Sequence, residues 1–295
     1  MTVPFQWTTH HLANCCYAAA GFSRGLQPVE ETLGEALLEP CAEMQRQVAA
    51  CEVPAAKFWE YLLAFAHQAD NAEALVRVVL TKTAGIDGVR AFAVTELARA
   101  LAQIIAATAD VLPKLDEELQ HRIRPLQAHW EARGPGLLKA IARLTDERLL
   151  VEETTIIAVY PTFGGGGVAN LLTNSVVIEA VLANVLPELP EVVRLGWLIA
   201  QLNHDLPIFS DAVRDRRIAE LAQLALLPPT LQASAEVELA ALSPTSIANA
   251  LAGWRVNVAA GEDLAERLLN WWGTYCETKP PWSVALAALD RMLSS

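Results

Sequence analysis

The chain has 295 residues, of which 53% are hydrophobic and 19% charged, with a formal net charge of −12. That length fits one large domain or two small ones, and the apolar share is ample for a core. The acidic balance excludes a non-specific nucleic-acid binder, because phosphate contacts need Lys and Arg in excess.

The longest apolar run, 89–112, carries Arg90, Glu96, Arg99 and Asp110. A bilayer span tolerates few charges, so the run is expected to be a buried helix and no membrane partner is expected. Arg214, Arg216 and Arg217 form the densest basic cluster, offset by Asp211, Asp215 and Glu220, which describes a solvated helix face. The five cysteines, Cys15, Cys16, Cys41, Cys51 and Cys276, are odd in number and contain no Cys-x-x-Cys pair. Neither a zinc knuckle nor a disulfide framework is expected. The opening MTVPFQWTTHH has no basic n-region and no apolar h-region, so a reducing cytoplasm is the expected location.

His10, His11, Cys15 and Cys16 read either as a soft metal site or as an N-terminal helix with half-buried thiols. The helix is preferred, since free cysteine packs as a small hydrophobe. Residues 28–50 keep helical spacing through Val29, Leu33, Ala36, Leu37 and Met44, with Pro40 expected to kink or divide the helix. Pro54 suits the first turn of a helix to about His67, striped by Phe58, Tyr61, Leu62 and Phe65. Asp70 or Asn71 can cap the next helix, and 85–88 is a break. A central helix is expected over 89–111. Pro113 starts a more polar helix, Pro125 interrupts it, and Gly134-Pro135-Gly136 breaks the segment that follows.

Thr154 to Tyr160 is the best strand, rich in β-branched residues, and Thr173 to Ala180 is the second. The link PTFGGGGVANLL is too long for a tight hairpin and too short for a crossover helix, which predicts an antiparallel pair with a flexible loop. Glu191 to about Leu206 then reads as an amphipathic helix, with Val192, Leu195, Leu198, Ile199 and Leu202 on one face. Further helices follow, capped by Ser210 or Asp211, opened by Ser243-Pro244, and covering 261–272 and 282–293. The expected fold class is mainly α (α+β): a single helical domain with a small antiparallel sheet. An N-terminal lobe spans 1–150, the sheet and helix 151–207, and a helical part 208–295.

Gly164, Gly165, Gly166 and Gly167 make backbone N–H groups approachable, as in an anion nest. No Lys-Ser or Lys-Thr pair follows, so this is no phosphate loop. The run reads as a mobile connection, or as a flap that lets another backbone come close. With Tyr160 and Gln201 it makes the candidate ligand site. In the segment AQLNHDLP, helical spacing would put Gln201 on one face with His204 and Asp205. Two strands, a proline-rich link and an apolar helix carrying this segment resemble the zincin metalloprotease fold, whose helix bears His-Glu-x-x-His. In that likeness Gln201, Leu202 and Asp205 stand where histidine, glutamate and histidine would, and Glu220 falls near a third ligand. The resemblance implies a zincin-like core that has lost its metal and its base, a pseudoenzyme.

Two functions follow. The first is a non-catalytic binding or interaction module for a peptide or small molecule, with no metal and no cofactor. The second is a hydrolase with an unfamiliar site drawn from His129, Glu131, Glu179, His204 and Asp205. A neutral histidine beside a carboxylate can serve as a general base, and Glu179, after the apolar VVI, is the carboxylate expected to be partly buried. Glu152 and Glu153 alternate across a strand, so one at most faces a site. Trp254, Trp271, Trp272, Trp282 and Tyr275 crowd the C-terminal third as core or as pocket lining. Trp271 and Trp272 cannot share a helix face, which predicts that one is exposed or lies in an interface.

Overall fold

A computed structural model describes residues 5–86, 89–211, 213, 218–256 and 263–294. Arg214, Asp215, Arg216 and Arg217 lie outside the described residues, as does the end of the expected break at 85–88. Strand β1 (Phe5–Thr9) precedes helices α1 (His11–Ser23), α2 (Glu31–Ala50), α3 (Ala55–Phe65), α4 (Ala72–Ala84), α5 (Ala91–Val111) and α6 (Leu115–Leu144). Strands β2 (Thr154–Val159), β3 (Gly167–Asn170) and β4 (Ser175–Glu179) follow. The chain then runs through α7 (Glu191–Ala200), α8 (Pro207–Ser210), α9 (Ile218–Ala225), α10 (Leu227–Glu236), α11 (Pro244–Gly253), α12 (Leu264–Thr278) and α13 (Trp282–Ser294). The fold is mainly α with one small mixed sheet in the order β1-β2-β4-β3.

The sheet differs from the expected antiparallel pair. The Thr155 N–H donates to the Asn174 carbonyl at 3.4 Å, and the Thr154 hydroxyl donates to the same oxygen at 2.7 Å. β2 and β4 therefore start at the same end and run parallel. The antiparallel partner of β4 is β3, with Gly167 opposite Ile178 and Asn170 opposite Ser175. The link contains this third strand, which explains why it is too long for a hairpin. β3 escaped the sequence reading because two of its residues are Gly and Asn, both depleted in strands.

Two compact units divide the chain. One comprises Trp7–Ile123 and Ile157–Gly164. In it α5 packs on α2 and α4, and Leu33, Leu37, Cys41, Met44 and Val48 line the buried side of α2. Pro40 does not divide α2. An interior proline costs about 3 kcal/mol, whereas each fully buried Leu, Val or Met stabilises by about 1.5–3 kcal/mol, so the stripe outweighs the break. α5 is long and apolar enough to cross a membrane by length and composition, and here Val94, Leu97, Leu101 and Ile104 are buried in the unit. Asn71 caps α4 by accepting from the Ala74 N–H at 2.9 Å. Cys15 and Cys16 are wholly buried rather than half-buried. Burial pushes the Cys15 thiol up to about 11 and Cys16 well above its ordinary value, so neither offers a thiolate.

The other unit comprises Met1–Gln6, Arg124–Ile156 and Gly165–Ser295. The expected interruptions at Pro125 and Gly134-Pro135-Gly136 are absent, because α6 runs through both. Leu126, Trp130, Leu137 and Ile141 are buried along it at the four- and seven-residue spacing of one helical face. Gly134 leaves room for the Trp130 ring, which would lie 2.4 Å from an added Cβ. Trp271 and Trp272 are both buried, since helices pack on more than one side of α12: it contacts α10 and α11, and the Trp271 indole donates to the Ala285 carbonyl of α13.

Candidate functional site

The site is built on α7, which packs against β3 and β4. The sequence predicts an amphipathic helix to about Leu206. Instead α7 ends at Ala200, and all ten of its residues are buried, including Glu191 and Arg194. Its apolar stripe is one side of a helix that is enclosed all round. Gly196 permits close approach to α6, since a Cβ there would meet Leu137 Cδ2 at 2.6 Å.

Two charges in so buried a helix need partners. Arg194 is 0% exposed. Its Nη2 donates to the Glu179 carbonyl at 2.7 Å and forms a buried ion pair with the Glu191 carboxylate. Burial pushes the Glu191 carboxyl up, the Arg194 charge pulls it down, and the Glu179 charge raises it again. The other edge of the guanidinium, Nε and Nη1, has no hydrogen-bond partner among the described residues.

The glycine run closes over this pair. Gly165 N–H donates to Glu179 Oε2 at 2.5 Å and Gly166 N–H to the same oxygen at 3.0 Å. The nest that such a run can form is thus filled by the chain's own carboxylate, with charge-assisted bonds that are stronger than neutral ones. Gly165 has φ +130°, and a Cβ there would lie 2.7 Å from the Gly253 carbonyl and 3.4 Å from Arg194 Nη1. Only glycine fits both the left-handed backbone and the close approach. A Cβ on Gly167 would meet Leu198 Cδ1 at 2.6 Å.

Of the sequence candidates, Glu179, Gly165 and Gly166 come together directly, and Gly167 continues into β3. Gly164 and Tyr160 belong to the other unit. There the Tyr160 N–H donates to Asn14 Oδ1 at 2.7 Å, its hydroxyl donates to Glu30 at 3.1 Å, and the Arg122 guanidinium sits 5.1 Å from the ring centre. Burial, and then the Glu30 charge, push the phenol up to about 12.

The segment expected to carry a zincin-like motif is not helical: Gln201 caps the end of α7 and 202–205 are turns. The Gln201 amide is spent on the Trp197 carbonyl at 3.0 Å. His204 is wholly buried, and its Nε2 accepts from the Trp282 indole N–H at 3.2 Å. Asp205 is exposed. Glu131 accepts from Gln127 at 3.1 Å on an exposed face. His129 is half-buried, its pKa lowered by desolvation and then by the Arg133 charge. Among the described residues no hydrogen bond joins His129, Glu131, His204 or Asp205 to one another. Nor, among them, do three His, Cys, Asp or Glu side chains gather as metal ligands.

Arg194 and Glu191 are the buried charged pair of the candidate site that sequence reasoning missed. The signal was present: a Glu and an Arg three apart, hence on one helical face, inside the otherwise apolar EVVRLGWLIA. Comparisons with family models, with curated proteins and with solved structures find no match for this chain.

Proposed function

We propose that the chain is a non-catalytic peptide-binding module, built on a degenerate zincin-like core, and that its docking element is the open edge of β3. One observation carries this reading. The Glu179 N–H donates to the Gly166 carbonyl at 3.2 Å, which fixes the alternation of the β3–β4 ladder. Bonded pairs alternate with unbonded ones in an antiparallel ladder, so Val168 and Asn170 turn their main-chain groups toward β4. Gly167 and Ala169 turn theirs away, and they are half-buried at the end of the sheet. An unpaired edge is a template for an added strand, and main-chain hydrogen bonds then supply the affinity. The adjoining glycines let a second backbone approach.

The non-catalytic part rests on α7. Just past its end, Leu202 stands where a water-activating helix would carry its base, and the Gln201 amide is already engaged.

Ala169→Pro tests the reading, because it removes an outward N–H while leaving the bonds to β4 in place. A panel of extended hexapeptides is titrated against wild-type protein and the variant. Hits on wild type that weaken about tenfold or more in Ala169→Pro are expected, the scale of one lost buried hydrogen bond. Hits equally tight in both, or peptide cleavage by purified protein, would contradict it.

A further inference from the structure

The unpaired edge of Arg194 is a feature of the site that no contact among the described residues explains. The side chain is 0% exposed, its Nη2 is saturated by Glu191 and the Glu179 carbonyl, and Nε and Nη1 have no partner among the described residues. Buried charged donors without an acceptor are costly, and native proteins supply one. We propose that this edge receives a main-chain carbonyl oxygen of the bound peptide, after the Gly165–Gly166 segment lifts away. The proposal rests on the peptide-binding reading and names the residue that would fix the register of the peptide.

Placement argues for it. Arg194 and Leu198 are one helical turn apart on α7. Arg194 Nη1 lies 3.4 Å from the Cβ position of Gly165, and Leu198 Cδ1 lies 2.6 Å from that of Gly167. A strand paired antiparallel to β3 through Gly167 and Ala169 runs toward Gly165 with its C-terminal residues, and so toward the guanidinium. The cover over Arg194 is glycine, with no side chain of its own; lifting it breaks the two N–H bonds to Glu179 Oε2 and the Glu179 N–H bond to the Gly166 carbonyl.

Charge decides which acceptor fits. The guanidinium is already paired with the Glu191 carboxylate, and the Glu179 charge acts on Glu191 as well, so each raises the cost of further negative charge. A peptide carboxylate would add a third anion around a single cation. A carbonyl oxygen satisfies the donors and adds none.

The test uses a wild-type-binding hexapeptide and a series in which each carbonyl in turn is replaced by methylene. Lys at position 194 keeps the charge beside Glu191 but loses the Nε and Nη1 fork. One replacement is expected to weaken wild-type binding about tenfold, and Arg194→Lys to weaken the intact peptide comparably, with no further loss for that replacement. Should Arg194→Lys not fold, the Arg194 Nε–H signal of wild-type protein gives the second readout. Its exchange should slow with the intact peptide and not with the modified one. Three results overturn the proposal: no replacement distinguishes wild type from Arg194→Lys, the Nε–H signal ignores the peptide, or a complex shows only ordered water on both nitrogens. Peptides that bind β3 with any of these outcomes leave the edge-strand reading standing, whereas binding by no peptide removes both.

Discussion

His204 illustrates how one side chain changes meaning between sequence and structure. In the sequence it stands beside Asp205 as a general base. In the fold it is wholly buried, with Trp282 donating to Nε2, so the proton sits on Nδ1; that nitrogen makes no hydrogen bond among the described residues, and the Ala200 and Gln201 carbonyls act on the ring only weakly. Desolvation drives its pKa down to about 3 from an ordinary 6.5, against a smaller opposing pull from those carbonyls. The unfolded chain then binds a proton below about pH 6.5 that the folded chain refuses, so stability falls as pH falls through that window until the folded pKa is reached. From neutral pH to about pH 4 the loss is on the order of 3 kcal/mol, at 1.36 kcal/mol per pKa unit. Denaturant titrations at pH 7 and pH 4 should show that loss in wild type. His204→Gln keeps an acceptor for Trp282 and should lose less by about that amount; the same pH slope in both proteins would show that His204 does not titrate as a buried group.

At the scale of elements, the sequence revealed the helices better than their ends or interruptions. Buried stripes such as Leu33, Leu37, Cys41, Met44 and Val48 keep a regular period, and a period is readable. Pro40, Pro125 and Pro135 looked like breaks because proline penalises a helix locally, while the packing that outweighs it comes from residues distant in sequence. The candidate site was legible in part. Glu179 and the glycines stood out by composition, yet their joining depends on β3, whose Gly167-Val-Ala-Asn170 carries little strand signal. Arg194 stayed hidden because nothing in one sequence says that α7 is enclosed on every side. Gly134 tests the continuity of α6. Alanine in a helix interior gains about 1 kcal/mol over glycine, but an atom placed 2.4 Å from the Trp130 ring should cost about 1–3 kcal/mol in overpacking. Gly134→Ala is therefore expected to lower stability by up to about 2 kcal/mol in urea denaturation. A variant more stable than wild type would mean that Trp130 does not lie over that turn.

At the scale of the molecule, each unit has its own buried helices, and the unit containing Arg124–Ile156 and Gly165–Ser295 holds the enclosed α7, the latched glycines and the free edge of β3. The latch and the edge are chemically distinct. Glu179 consumes the N–H groups of Gly165 and Gly166, so an anion nest is closed to outside ligands, whereas Gly167 and Ala169 keep main-chain groups directed away from the sheet. The central claim is that this edge pairs with a peptide. Amide hydrogen exchange along β3, read residue by residue by NMR, tests it most directly. In free protein Val168 and Asn170 should exchange slowly and Gly167 and Ala169 fast; on adding a binding hexapeptide, Gly167 and Ala169 should slow by about tenfold or more, as newly bonded amides do. Gly167 and Ala169 already protected in the free protein, or still fast with the peptide bound, would contradict the account.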